Sequence, residues 1–117
     1  MIIFVYGSLK QNRYLHSYLK NAKFLGYAVT CRRYPLILNK TKEYPYLLNQ
    51  KGGKSIKGEL YKIDYNLLKK LDRLEEVPHY YQRKRVCVKK GYKSMVAYAY
   101  FSVKKRKFLQ KELLEEF

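Results

Sequence analysis

Acidic residues are scarce in this chain. Among 117 residues, 9 Asp and Glu stand against 26 Lys and Arg, for a formal net charge of +17. Cysteine is limited to Cys31 and Cys87, histidine to His16 and His79, and tryptophan is absent. Each shortage excludes something. Two isolated cysteines, neither in a CxxC pair, do not make a disulfide framework, and with the two histidines they lack metal-ligand spacing. They are expected to be buried, reduced thiols in a cytoplasmic protein. No apolar run approaches the ~18–20 residues of a membrane span. The first apolar run is too short for a signal peptide and has no basic segment before it. No P-loop, GxGxxG or G-x-S-x-G pattern occurs. No linker or low-complexity tract interrupts the chain, so residues 1–117 read as one domain.

What is present is an ordinary apolar fraction, 47%, rich in tyrosine: 14 tyrosines against five phenylalanines. Tyrosine joins a large apolar body to a polar tip, so these rings are expected half-buried. The basic residues spread along the whole chain, with the densest run at Lys104-Lys105-Arg106-Lys107. Such a balance favours a solvated surface and non-specific nucleic-acid binding at low salt over a specific nucleic-acid site.

The stretch Ile2–Tyr6 is β-branched and apolar and stops at Gly7-Ser8, which reads as a buried strand leading into a tight turn. Helical spacing follows, with Leu15, Tyr18 and Leu19 inward on a first helix over Asn12–Asn21. A strand, a Gly-Ser turn and a helix together collect backbone N–H groups around one spot. Further strands are expected at Phe24–Val29 (Gly26 a bulge), Tyr34–Leu38, Tyr44–Leu48, Ile56–Ile63, Tyr81–Val88 and Met95–Phe101. Gly52-Gly53 reads as a hairpin-like turn. Asp64 caps a second helix beginning near Tyr65, and a short terminal helix covers Phe108–Phe117. The sum is an α+β domain with a curved or barrel-like sheet.

The second helix carries the most informative residue. Leu67, Leu68, Leu71 and Leu74 occupy an arc of roughly 120° at about 100° per residue. Glu75 falls inside that arc, Glu76 nearly opposite and Asp72 at its edge. A carboxylate facing a core is costly unless it is paired or functional. Pairing with Arg83 or Arg85 is the structural alternative. Desolvation of an unpaired Glu75 would raise its pKa into the range of a general acid/base.

Two separated blocks resemble the γ-glutamylcyclotransferase-like family. Phe4-Val5-Tyr6-Gly7-Ser8-Leu9-Lys10 is similar to its YGS/T-L signature. Gly58–Asp64, Leu71–Glu75 and Tyr80–Arg83 are similar to its second block. The Tyr-Pro and Pro-Tyr-Leu-Leu segments between them look most like the γ-glutamylamine cyclotransferase branch, and the resemblance covers residues 2 to about 101. It implies a compact mixed β-barrel flanked by two or three helices, acting without a cofactor on a small γ-glutamyl substrate to release 5-oxoproline and a free amine. By this resemblance the proton acceptor falls on Glu75 and the substrate loop on Tyr6, Gly7, Ser8 and Leu9, with Tyr81 near the pocket. The chain departs from the pattern at Ser8, where threonine is frequent, and at Glu76, where glycine usually follows the acceptor. If that glycine supplies a positive φ, Glu76 is strained. Two other readings stand beside this one: a basic nucleic-acid-binding module, and a member of the same fold that binds a metabolite without turning it over. Neither the leaving amine nor the oligomeric state can be read from the pattern.

Overall fold

The computed structural model describes residues 1–117. Five strands close into a barrel: β1 (Ile2–Val5), β2 (Lys23–Tyr34), β5 (Lys54–Lys62), β6 (Tyr81–Lys90) and β7 (Lys93–Ser102). Their order around the barrel is β1-β5-β2-β6-β7, and β7 returns to β1 in parallel through Ile3 and Tyr98. The other pairings are antiparallel. Two short strands, β3 (Leu36–Leu38) and β4 (Pro45–Leu47), form a separate two-stranded sheet. One α-helix, α1 (Tyr65–Leu74), packs on the outside of the barrel. No helix is long and apolar enough to cross a membrane.

Alternation along the strands divides the core in two. Phe4, Leu60, Val88 and Phe101 point into the barrel. Ile3, Val5, Tyr61 and Tyr100 point outward and meet Leu68 and Leu71 of α1, with Leu9 and Leu19 beside them. Glycine sets the geometry at two places. A Cβ on Gly58 would lie 2.5 Å from the Val5 carbonyl oxygen and 2.6 Å from the Phe4 ring, so β5 can approach β1 this closely only without a side chain there. Gly26, at φ 120°, sits where the β2–β5 register shifts, which is the expected bulge.

All seven expected strands form, although β2 runs on from Val29 to Tyr34 and so takes the residue expected to open β3; α1 begins after Asp64, whose Oδ1 accepts from the Leu67 N–H at 2.8 Å. The flanking helices do not form as expected. Over Asn12–Asn21 there are turns and one 3₁₀ turn, His16–Leu19; Asn12 has φ 66°, which interrupts a helix at its start. The chain end forms only a 3₁₀ turn at Gln110–Glu112. Beyond it the backbone bonds to other elements: the Leu114 N–H donates to the Leu36 carbonyl, and the Glu115 carbonyl accepts from Lys57. Gly52 and Gly53 do make a positive-φ turn, yet no hairpin, because β4 pairs with β3 and β5 with β1 and β2.

The cysteines differ most from expectation. Cys31 on β2 and Cys87 on β6 are bonded to each other across Cα atoms 5.4 Å apart. Val29 pairs with Lys89 and Thr30 with Val88, so the next position of that antiparallel register sets the two cysteines directly opposite each other on adjacent strands, pointing out of the barrel. Cys87 is exposed and Cys31 half-buried. Fifty-six residues separate them in sequence, and only the β2–β6 pairing brings them together.

Candidate active site

A cavity of about 660 Å³ opens where β1 ends, α1 ends, β6 begins and β4 passes over. Tyr6, Gly7, Ser8, Leu9, Glu75 and Tyr81, from three separate stretches of chain, all line it. Strand β1 stops at Val5, and the chain turns through Gly7 and Ser8, with the Lys10 N–H donating to the Gly7 carbonyl at 3.0 Å. A Cβ on Gly7 would come within 3.1 Å of the Pro45 ring, so the turn lies tight under β4. The N–H groups of Gly7, Ser8 and Leu9 donate to no acceptor within the chain, although Gly7 and Leu9 are buried. A buried donor without a partner is rare, and here two of three consecutive free donors belong to buried residues that line a cavity.

Glu75 is the C-cap of α1, its N–H donating to the Leu71 carbonyl at 2.9 Å. No base pairs with it. Burial raises its carboxyl from the ordinary value of 4.5 to about 7. The anticipated partner Arg83 instead pairs with Asp72, one turn earlier on the helix. Asp72 does two jobs at once, since its other oxygen accepts from the Tyr100 hydroxyl at 2.7 Å. The Tyr100 carbonyl in turn accepts from the Tyr6 hydroxyl at 2.5 Å. This chain of contacts ties the end of α1 to β6, β7 and the residue before the turn, and so orients Glu75 against the loop.

Three tyrosines surround the carboxyl. Burial raises Tyr6 and Tyr81 above the ordinary tyrosine value, and their proximity to Glu75 adds to the effect. Tyr100 is raised by burial and by its bond to Asp72. All three are therefore neutral donors at physiological pH. Glu76, exposed at the rim, takes φ 52°. Its N–H donates to the Arg73 carbonyl and that of Val77 to Asp72, the paired bonds of a Schellman stop. The positive φ anticipated there is real, and a glutamate occupies it.

Sequence reading missed the Asp72–Arg83–Tyr100 contacts and the contribution of the basic run, from which Lys104 and Arg106 line the cavity. Asp72 lies three residues before Glu75, and that spacing is the one available signal for it. No group of three or more His, Cys, Asp or Glu side chains is placed to hold a metal ion. The site offers a carboxyl that ionises near neutrality, a set of free N–H donors and neutral hydroxyls, which suits proton transfer beside a developing oxyanion.

Comparison with known proteins places the chain in a family. The chain is 40% identical over 87 residues to a relative from Methanocaldococcus jannaschii, covering 74% of this chain and 70% of that one. It is 41% identical over 87 residues to gamma-glutamylaminecyclotransferase C of Danio rerio, covering 69% of this chain and 57% of the relative. The match thus spans less than two thirds of the length of that fish protein and of a Drosophila melanogaster relative. The crystal structure of an AIG2-like protein from Mus musculus superposes with a TM-score of 0.85 at 27% identity, covering 99% of this chain and 86% of that one. The family model for gamma-glutamyl cyclotransferase, AIG2-like, matches residues 3–116, nearly the whole chain, and the protein belongs to that family.

Proposed function

We propose that the protein is a cyclotransferase that converts a small γ-glutamyl amide to 5-oxoproline and a free amine, with Glu75 as general acid/base. The observation that carries this reading is the placing of a carboxyl with a pKa of about 7 and three uncommitted N–H groups on one cavity. The substrate's α-ammonium cannot attack until it loses a proton. Glu75, ionised in part of the population at neutral pH, accepts that proton. The freed amine attacks the γ-carbonyl carbon, forming the ring C–N bond and placing negative charge on the carbonyl oxygen. The Gly7, Ser8 and Leu9 N–H groups are donors for that oxyanion. Glu75 then returns its proton to the departing nitrogen as the original amide bond breaks, and its regenerated carboxylate takes the proton that the ring nitrogen must still lose, which passes on to the released amine as it becomes an ammonium. The cavity wall, narrowed by Pro45 over Gly7, folds the flexible glutamyl chain toward its ring-closing shape, which lowers the entropic part of the barrier.

The test is release of 5-oxoproline from γ-glutamyl-alanine, γ-glutamyl-ε-lysine and glutathione by the native protein and by Glu75→Gln. The native protein is expected to turn over at least one of them, and the variant to lose a factor on the order of 10²–10⁴. Failure of every substrate would refute the reaction. Full activity in the variant would refute the role of Glu75.

A further inference from the structure

Acid is unevenly placed in this molecule as well as scarce. Strands β2, β6 and β7 are neighbours in the barrel, and none of the 9 Asp and Glu residues lies on them. The register sets their outward side chains in rows. Lys89 lies opposite Val29 on one side and Ser94 on the other. Cys87, bonded to Cys31, lies opposite Val96, and Arg85 lies opposite Tyr98. Arg33 pairs with Ser55, whose neighbour Ile56 points into the core, so Arg33 also faces outward. Arg33, Arg85 and Lys89 are exposed, and Val96 is 61% exposed between them.

Nothing within the chain neutralises these three bases. Among basic side chains only Lys10, Arg83 and Lys90 donate a hydrogen bond, and the ion pairs use only Lys10, Lys57 and Arg83. The guanidiniums of Arg83 and Arg85 stand 5.0 and 5.9 Å from the centre of the Tyr98 ring. The disulfide crosses the middle of the face and holds β2 to β6, which fixes the spacing of the cations. At the edge of the face a hollow of about 430 Å³ lies beside Tyr27, Val29, Lys57 and Lys89, and Tyr27 is 66% exposed there. Two carboxylates also border the hollow. Glu59 accepts from the Gln11 N–H and the Tyr61 hydroxyl, each at 3.0 Å, and Glu116 lies 3.8 Å from Lys10. The hollow therefore suits a neutral, flat group, whereas the open face suits anions. A polymer that alternates the two is complementary to both, and its flat groups are accessible only when they are unpaired. A charged bilayer would use the cations but not the hollow.

We propose that the outer face of β2, β6 and β7 binds single-stranded nucleic acid, with phosphates on Arg33, Arg85 and Lys89 and a base stacked on Tyr27. None of these residues lines the candidate active-site cavity, so the inference is independent of the cyclotransferase reading.

The measurement is fluorescence anisotropy with a labelled oligouridylate of about 12 nucleotides, without reductant so that the disulfide stays intact, between about 20 and about 200 mM sodium chloride. The native protein is expected to bind, more tightly than it binds a duplex of the same length. Combining Arg33→Gln, Arg85→Gln and Lys89→Gln should weaken binding by about 10–100-fold and flatten the slope of log affinity against log salt by about 2, at about 0.7 for each phosphate contact. A control combining Lys40→Gln, Lys70→Gln and Lys111→Gln removes the same charge from exposed positions elsewhere and should keep both affinity and slope. Tyr27→Ala should weaken binding by about 5-fold or more with the slope unchanged. Should the triple variant fold poorly, Arg85→Gln alone is expected to lower the slope by about 0.7. Absence of binding, an equal loss in the two triple variants, or full affinity in Tyr27→Ala would overturn the proposal. So would binding to the duplex, or to phosphatidylserine vesicles, as tight as to the single strand.

Discussion

At the scale of single residues, Glu75 couples stability to pH. In the folded protein its carboxyl keeps its proton up to about pH 7, while the unfolded chain releases it near the ordinary 4.5. Below pH 4.5 both states are protonated and burial carries no ionic cost. Between 4.5 and 7 the folded state binds more protons than the unfolded one, so stability falls as pH rises, and above 7 the full cost is in place. That cost is about 3 kcal/mol. Glu75→Gln removes the ionisation, so its stability relative to the native protein should grow across this window and level off above it. Urea unfolding of both proteins at several pH values checks this, and a gap independent of pH would contradict it. Periodicity alone singled out Glu75, because one residue's place on a helix depends only on counting along the chain. Its surroundings were not legible in the same way. Arg83 could have met Glu75 or Asp72, which lie on neighbouring turns, and the approach of β6 decides for Asp72. Arg106 was hidden inside a basic run, where composition says nothing about which side chain turns inward.

At the scale of elements, the end of α1 carries a conflict between sequence and backbone. The Schellman bonds at Glu76 and Val77 require a left-handed residue at Glu76, and its φ is 52°. A side chain there costs about 1 kcal/mol relative to glycine. Glu76→Gly is therefore expected to stabilise the protein by that amount, less the loss from a more flexible unfolded chain. Thermal unfolding should show the midpoint rising by a few degrees with Glu75 still in place. A fall would mean that the Glu76 side chain makes a compensating contact. Helix α1 was legible from both ends, since its cap Asp64 and its leucine stripe are local signals. The flanking segments were not. Phe108–Phe117 has helical spacing, yet its backbone finds partners on Leu36 and Lys57, far away in sequence, and a short helix cannot compete with such pairing. The barrel strands announced themselves through apolar runs and alternation, but their order did not: β1 lies between β5 and β7, a pairing that no local pattern encodes.

At the scale of the whole molecule, charge is the unresolved stress. The three ion pairs employ Lys10, Lys57 and Arg83, so most of the 26 bases have no acidic partner. They surround a small body with a radius of gyration of 13.3 Å, which places many of them within mutual reach in dilute buffer. A Debye length of about 30 Å at 10 mM salt shrinks to about 7–8 Å near 200 mM, less than the separation of most bases. Repulsion in the folded state is stronger than in the expanded unfolded chain, so screening favours folding. Raising sodium chloride from about 10 to about 200 mM should add on the order of 1 kcal/mol and lift the melting midpoint by about 4 °C. Arg83–Asp72 works against this only weakly, because it is partly buried and little screened. Replacing two exposed lysines remote from the cavity, Lys89 and Lys93, with glutamate should raise the low-salt midpoint and flatten its salt dependence. An unchanged or falling midpoint with salt in the native protein would show that local contacts, and not net charge, dominate its electrostatics.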